Sequence, residues 1–382
     1  MLAVWVPLLL PFLAVPLARR LAEALPPRAA AWLLAGTATV LAGGTLCSLG
    51  LLATAGLLQL PPVAALGHLS LPWLTAAAPS APVAAALAGP VLAVLAALAV
   101  RTARRRHLEL RAARAALPAA PARPALSALP AHGTDPADER TGPHPAHRPA
   151  GVQNADTRPL RASVRRARAT RWLRSSLLRQ PVGHQLAVLD DERADAFALP
   201  GRLRRPGRKG EPGRIVVTSG MLRALSGPER AALLAHERAH LTGRHHVFLA
   251  LAEHAADLHP ALRPLRAPLG YHLERWADEV AAARVGDRAV TARAVGRAAL
   301  AASRSPWPAR PRLVAAAHAG PVPRRVAALL QPRPSTTPAT RLRAVALALA
   351  ACLALTTAAT LEATADLHRT VEAAQHEPGA PR

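Results

Sequence analysis

Four uncharged, mostly apolar runs constrain this chain more than anything else in it: residues 2–18, 29–60, 82–100 and 344–361. Each is close to, or longer than, the roughly 20 residues that a helix needs to cross a bilayer. Inside hydrocarbon every backbone N–H and C=O must be paired within the protein, which leaves a helix as the natural form for such a run. Arginine borders each run at one end only. Arg19 and Arg20 follow the first, Arg28 precedes the second, Arg101, Arg104, Arg105 and Arg106 follow the third, and Arg341 and Arg343 precede the fourth. Positive loops stay in the cytoplasm. The pattern therefore predicts four transmembrane helices, with the N-terminus outside, residues 101–343 inside and the tail outside, in a multi-pass protein of the cell membrane. A cleaved secretory signal would carry its charge before the first run, not after it. Pro7, Pro11 and Pro16 make that run the poorest helix former of the four.

The formal net charge is +25, and Lys209 is the only lysine. Because so many arginines sit beside apolar runs, the charge points to a lipid bilayer as partner, and direct binding of nucleic acid is not expected. Cys47 and Cys352 both fall within apolar runs, so neither reads as a disulfide partner or a metal ligand.

Five parts follow from composition: residues 1–117, three spans with a basic continuation; 118–159, a proline- and alanine-rich linker that cannot bury a core; 160–338, a folded domain; 339–361, the fourth span; and 362–382, a short external tail. Residues 160–178 read as a basic amphipathic helix. Residues 184–190, 195–201 and 214–218 read as strands, with a basic insertion over 202–212. A short apolar helix over 219–225 and a further helix over 287–305 are expected. Residues 306–338 read as a proline-rich return to the membrane.

Within the folded domain, residues 226–243 read SGPERAALLAHERAHLTG. Ser226 and Glu229 form a capping-box pattern, Pro228 suits the first turn, and the alanines and leucines that follow favour helix. On that helix His236 and His240 are four residues apart, share a face and can reach one metal ion, with Glu237 between them. Zinc takes such an imidazole pair, a third protein ligand and one open position. The helix is expected to run on past Gly243. That would turn His245 to the opposite side from His236 and put His254 too far along to share an ion.

AFALPG at 196–201, a strand, a short helix and then HExxH resemble two related groups of membrane zinc metallopeptidases, the BlaR/MecR type and the HtpX and CAAX-prenyl type. Both follow HExxH with Glu-x-x-x-Asp on another helix, which here is Glu274 to Asp278. Three spans before the motif and one after favour the BlaR/MecR type. Asp195 departs from the asparagine usual in the HtpX type. The resemblance implies an α-helical membrane protein with a cytoplasmic α+β zincin-like peptidase domain that holds one Zn2+ per chain on His236, His240 and Glu274. Glu237 would be the general base, and Asp278 would hydrogen-bond a ligand histidine. The implied partner is a protein substrate such as a transcriptional repressor; a quality-control protease of membrane proteins, or a non-catalytic receptor or scaffold, is the alternative. Tyr271, His272 and Arg275 are candidates to stabilise an oxyanion, and the strand at 196–199 is a candidate edge for an extended peptide. Relatives that sense β-lactams carry a Ser-x-x-Lys nucleophile. Lys209 has no serine three residues before it, so no acylation by penicillins is expected.

Overall fold

Helices carry most of the fold, with one small sheet. The computed structural model describes residues 2–115, 117, 123–124, 184–202, 210–304, 321–331 and 339–376. A 3-10 turn leads into α1 (Val6–Glu23), then α2 (Pro27–Leu57), short α3 (Pro61–Leu66) and α4 (Leu71–Ala77), and α5 (Ala81–Ala115). The sheet is formed by β1 (Arg123–Pro124), β2 (Gln185–Leu189), β3 (Ala196–Leu199) and β4 (Arg214–Thr218). Next come α6 (Ser219–Ala224), α7 (Gly227–Thr242), α8 (His245–Leu258), a 3-10 turn (Pro260–Leu265) and α9 (Arg266–Val285). The chain then forms α10 (Arg288–Arg304), α11 (Val322–Leu330) and α12 (Ala339–His376). Among the described residues, four helices are long and apolar enough to cross a membrane: Ala3–Glu23, Pro27–Leu57, Ala81–Ala115 and Leu342–His376.

Two segments away from the histidine pair differ from their sequence reading. The fourth apolar helix does not stop near residue 361 but runs to His376. Its end packs on the loop between α2 and α5: Ser70 N–H donates to Ala374 C=O at 2.9 Å, and Ala374 is buried among Ala64, Leu69 and Leu74. The proline-rich return contains a helix, α11, which the proline content had hidden. The linker at 118–159, apart from 123–124, the basic helix at 160–178 and residues 203–209 of the basic insertion lie outside the described residues.

The sheet order is β1-β2-β4-β3, with β2 and β4 parallel and β3 antiparallel to β4, Phe197 opposite Val216. Ile215 to Thr218 are buried on both faces, which suits the β-branched IVVT run. β3 is an edge strand among those described. Thr218 ties the sheet to α6: its hydroxyl oxygen accepts from Met221 N–H and from Asp195 N–H at 2.9 Å. Gly220 is required where the chain turns, since a Cβ there would lie 2.0 Å from Glu192 C=O.

The membrane-type helices and the folded domain share one hydrophobic core. Leu34 and Leu41 of α2 are buried in one cluster with Phe248 of α8, Leu262 and Leu265 of the 3-10 turn, and Leu269 and Leu273 of α9. Trp32 meets Phe248 edge-on at 4.8 Å, and His259 Nε2 donates to Leu8 C=O at 3.1 Å. The third apolar helix continues far past its apolar part and grips the domain. Arg106 pairs with Glu253, the Thr102 hydroxyl donates to Asp257 at 2.8 Å, and Arg114 donates to Pro200 C=O at the end of β3 at 2.9 Å.

Candidate metal centre

α7 starts as its sequence predicts. Both hydrogen bonds of the capping box between Ser226 and Glu229 are present, with Ser226 N–H donating to Glu229 Oε2 at 2.9 Å. Arg297 of α10 binds the same carboxylate at 3.0 Å. The helix ends at Thr242 rather than running on. Arg244 takes a left-handed conformation (φ +54°), and α8 starts in a new direction. The break corrects the expected position of His245, whose Nδ1 lies 2.7 Å from His240 Nδ1.

The imidazoles of His236 and His240 and the carboxylate of Glu274 on α9 converge, with one donor atom from each within 4.8 Å of the others. His236 Nε2 is 3.0 Å from His240 Nε2 and 3.5 Å from Glu274 Oε2, and His240 Nε2 is 3.3 Å from Glu274 Oε1. Donors placed 2.0–2.1 Å from one tetrahedral ion stand about 3.4 Å apart. The spacing and the donor set therefore fit zinc. All three side chains are buried, as is Glu237.

Asp278 lies one turn after Glu274 on α9, and its Oδ1 is 3.0 Å from His236 Nδ1. The sequence reading overlooked Arg325 of α11, which is buried against both carboxylates. Its Nη1 is 2.8 Å from Glu274 Oε2, and its Nε and Nη2 donate to Asp278 Oδ2 and Oδ1 at 2.8 and 2.6 Å. A signal was available. Val322, Val326, Leu329 and Leu330 follow the helical period, and Arg325 shares their face, where a charge needs a partner. For His245 the signal was Gly243, a common helix terminator.

Electrostatics keep these groups charged although buried. Burial alone would raise the pKa of Glu274, but Arg325, His240 and His236 outweigh it and hold the carboxyl well below its usual range. Burial likewise opposes ionisation of Asp278, and Arg325 and His236 overcome it. His245 is the opposite case, because burial and then the charge of His240 keep its pKa well below that of a free imidazole. A neutral His245 ring can accept at Nδ1. A His240 that uses Nε2 for a metal carries its hydrogen on Nδ1 and donates it there.

The three oxyanion candidates do not line the cavity that Glu237 borders. Tyr271 packs under Arg324 at 4.6 Å, and Arg275 pairs with Glu279 at 2.8 Å. His272 is buried, with its pKa lowered to about 4 by burial and then by Arg324 and Arg275.

The family model described as Peptidase family M48 matches residues 159–263. That stretch of the chain is similar to a metallopeptidase family whose members are generally zinc-dependent. Together with the apolar helices, the match supports a membrane metallopeptidase. It contains β2 to α8, hence His236, Glu237 and His240, and stops short of Glu274. The third ligand thus rests on the convergence of α9 with α7. No curated protein and no solved structure matches the chain.

Proposed function

We propose that this chain is a membrane-bound zinc endopeptidase that cuts a protein on the cytoplasmic side of the cell membrane. The observation that carries the reading is the convergence of His236, His240 and Glu274, with Glu237 buried beside them and lining a cavity. His236, His240 and Glu274 would hold the ion. When bound, zinc supplies a Lewis acid for the peptide carbonyl and for water. Glu237 takes the proton of the attacking water at its carboxylate and delivers it to the leaving nitrogen. Asp278 orients His236 through Nδ1, and His245 orients His240 in the same way. Arg325 keeps Glu274 and Asp278 ionised and in place. An extended substrate would lie along the edge of β3, which starts at the cavity wall with Ala196.

The resemblance to the BlaR/MecR type suggests a transcriptional repressor as the substrate and release of repression as the outcome. A second reading, a quality-control protease acting on membrane proteins, is favoured by the shared core of α1, α2, α8 and α9, which sets the site against the spans. The test is zinc content and peptide cleavage of the purified full-length protein. Glu237→Gln should keep stoichiometric zinc and lose cleavage, since an amide takes no proton, and His240→Ala should lose both. Full zinc and full activity in Glu274→Ala would remove Glu274 from the ligand set. Cleavage by Glu237→Gln at the wild-type rate would overturn the mechanism.

A further inference from the structure

A polar cavity of about 240 Å³ lies away from the metal centre, where α5 meets the folded domain. Thr102, Arg105, Arg106 and Glu109 line it from one face of α5, and Glu253 and Asp257 of α8 and Arg266 at the start of α9 complete the wall. Part of this charge is matched internally. Arg106 pairs with Glu253, and the Thr102 hydroxyl donates to Asp257 at 2.8 Å. The side chains of Arg105, Arg266 and Glu109 have no hydrogen bond or ion pair among the described residues, and Asp257 has no ion pair there. Arg105 and Arg266 are exposed. Two cations and two carboxylates thus share one open cavity without being paired off. The cavity has room for a group of several heavy atoms rather than a single water.

Position says where the ligand comes from. Thr102 to Arg106 stand roughly 3 to 9 Å along the helix past the apolar run 82–100, and a headgroup layer is about 5–7 Å thick on each side of the hydrocarbon. Val91, Val94 and Leu98 are exposed on the same face of α5, leading up to Thr102. A lipid whose head enters the cavity can lay its chains along that stripe. Charge says which head fits. A simple anion would face Glu109 and Asp257, and a simple cation would face Arg105 and Arg266, so each would meet its own sign. A head with both a phosphate and an ammonium matches all four groups. A primary ammonium gives N–H donors to the carboxylates, whereas a trimethylammonium has none, and the wall has no aromatic ring to hold one. We infer that the cavity binds the headgroup of an aminophospholipid such as phosphatidylethanolamine, its phosphate on Arg105 and Arg266 and its ammonium on Glu109 and Asp257. A lipid held there ties α5 to α8 and α9. The inference rests on the membrane reading of the third apolar run and is independent of the peptidase chemistry.

The test is native mass spectrometry of the full-length protein in detergent, titrated with phosphatidylethanolamine, phosphatidylcholine and phosphatidylglycerol of identical acyl chains. Phosphatidylethanolamine should bind about tenfold or more tighter than either of the others, the scale of one or two charge-assisted hydrogen bonds. The two halves of the site should separate by mutation. Glu109→Gln should bring the ethanolamine-to-choline ratio toward one and leave phosphatidylcholine binding as it was. Arg105→Gln combined with Arg266→Gln should weaken all three lipids, since all three carry the phosphate. Both changes are at unpaired side chains, so the variants should melt within a few degrees of wild type; if the double variant does not fold, Arg266→Gln alone should act in the same direction. Glycerophosphoethanolamine, the same head without chains, should compete only in large excess. If it binds as tightly as the lipid, a soluble phosphoester is the ligand and the membrane source is wrong. Equal affinity for the three lipids, a preference for phosphatidylglycerol, or an unchanged ethanolamine-to-choline ratio in folded Glu109→Gln would overturn the proposal.

Discussion

Arg325 clamps Asp278 through two parallel hydrogen bonds, Nε to Oδ2 at 2.8 Å and Nη2 to Oδ1 at 2.6 Å, with both side chains buried. The third nitrogen of the same guanidinium lies 2.8 Å from Glu274. One guanidinium thus binds both carboxylates, which stand one helical turn apart in a buried site. Removing one partner of a buried pair typically costs about 3–5 kcal/mol. Arg325→Ala should lower the thermal unfolding temperature of the zinc-free protein sharply, and Arg325→Lys should restore little, because an ammonium cannot bridge both oxygens. Zinc should narrow the gap, since it compensates Glu274. A wild-type melting temperature in zinc-free Arg325→Ala would refute the clamp.

His245 should act on the metal through His240. His245→Phe keeps the ring in contact with Trp276 but removes the acceptor 2.7 Å from His240 Nδ1. Zinc affinity, measured by competition with a chelator, should fall about 10- to 100-fold. A value unchanged from wild type in a folded His245→Phe protein would show that the contact is packing alone.

Zinc binding should be strongly pH-dependent. In the metal-free site burial opposes a charge on His236, but Asp278 and Glu274 overcome it and push its pKa up to about 10. The ring is therefore protonated at neutral pH, and zinc must displace that proton. Affinity should rise by about tenfold per pH unit across pH 6–8. The sign for the metal-free fold is the reverse: the raised pKa stabilises it fully below the unfolded value near 6.5 and loses that contribution as pH rises through about 10. A chelator competition that is flat over this range would contradict the assignment.

Topology makes a further claim. The loop between α2 and α5 and the end of α12 touch each other, so both lie on one side of any membrane the helices cross. Arginine placement predicts that this side is the outer one. Reporter fusions at Gly151 and after His376 should give cytoplasmic and external signals respectively. An external signal at Gly151 would place the site on the wrong face for a cytoplasmic substrate.

Features with local causes were legible in the sequence. The apolar runs appear as helices because hydrophobic length is a property of consecutive residues. α7 is capped at Ser226 because its cap, its proline and its glutamate are neighbours. The strands at 185–189, 196–199 and 214–218 fall inside their predicted stretches because short apolar, β-branched runs bounded by turn residues are equally local. The pair His236 and His240 needed only the helical repeat. What the repeat cannot encode is which helix lies against which. The 33 residues between His240 and Glu274 cross a left-handed turn at Arg244, a helix and a 3-10 turn, and only the packing of α9 on α7 sets Glu274 3.3 Å from His240. Likewise Arg325 looked like one more arginine near the membrane and became the partner of two buried carboxylates once α11 closed over α9. Burial decides these cases: a charge removed from water must find its counter-charge in space, wherever that lies along the chain.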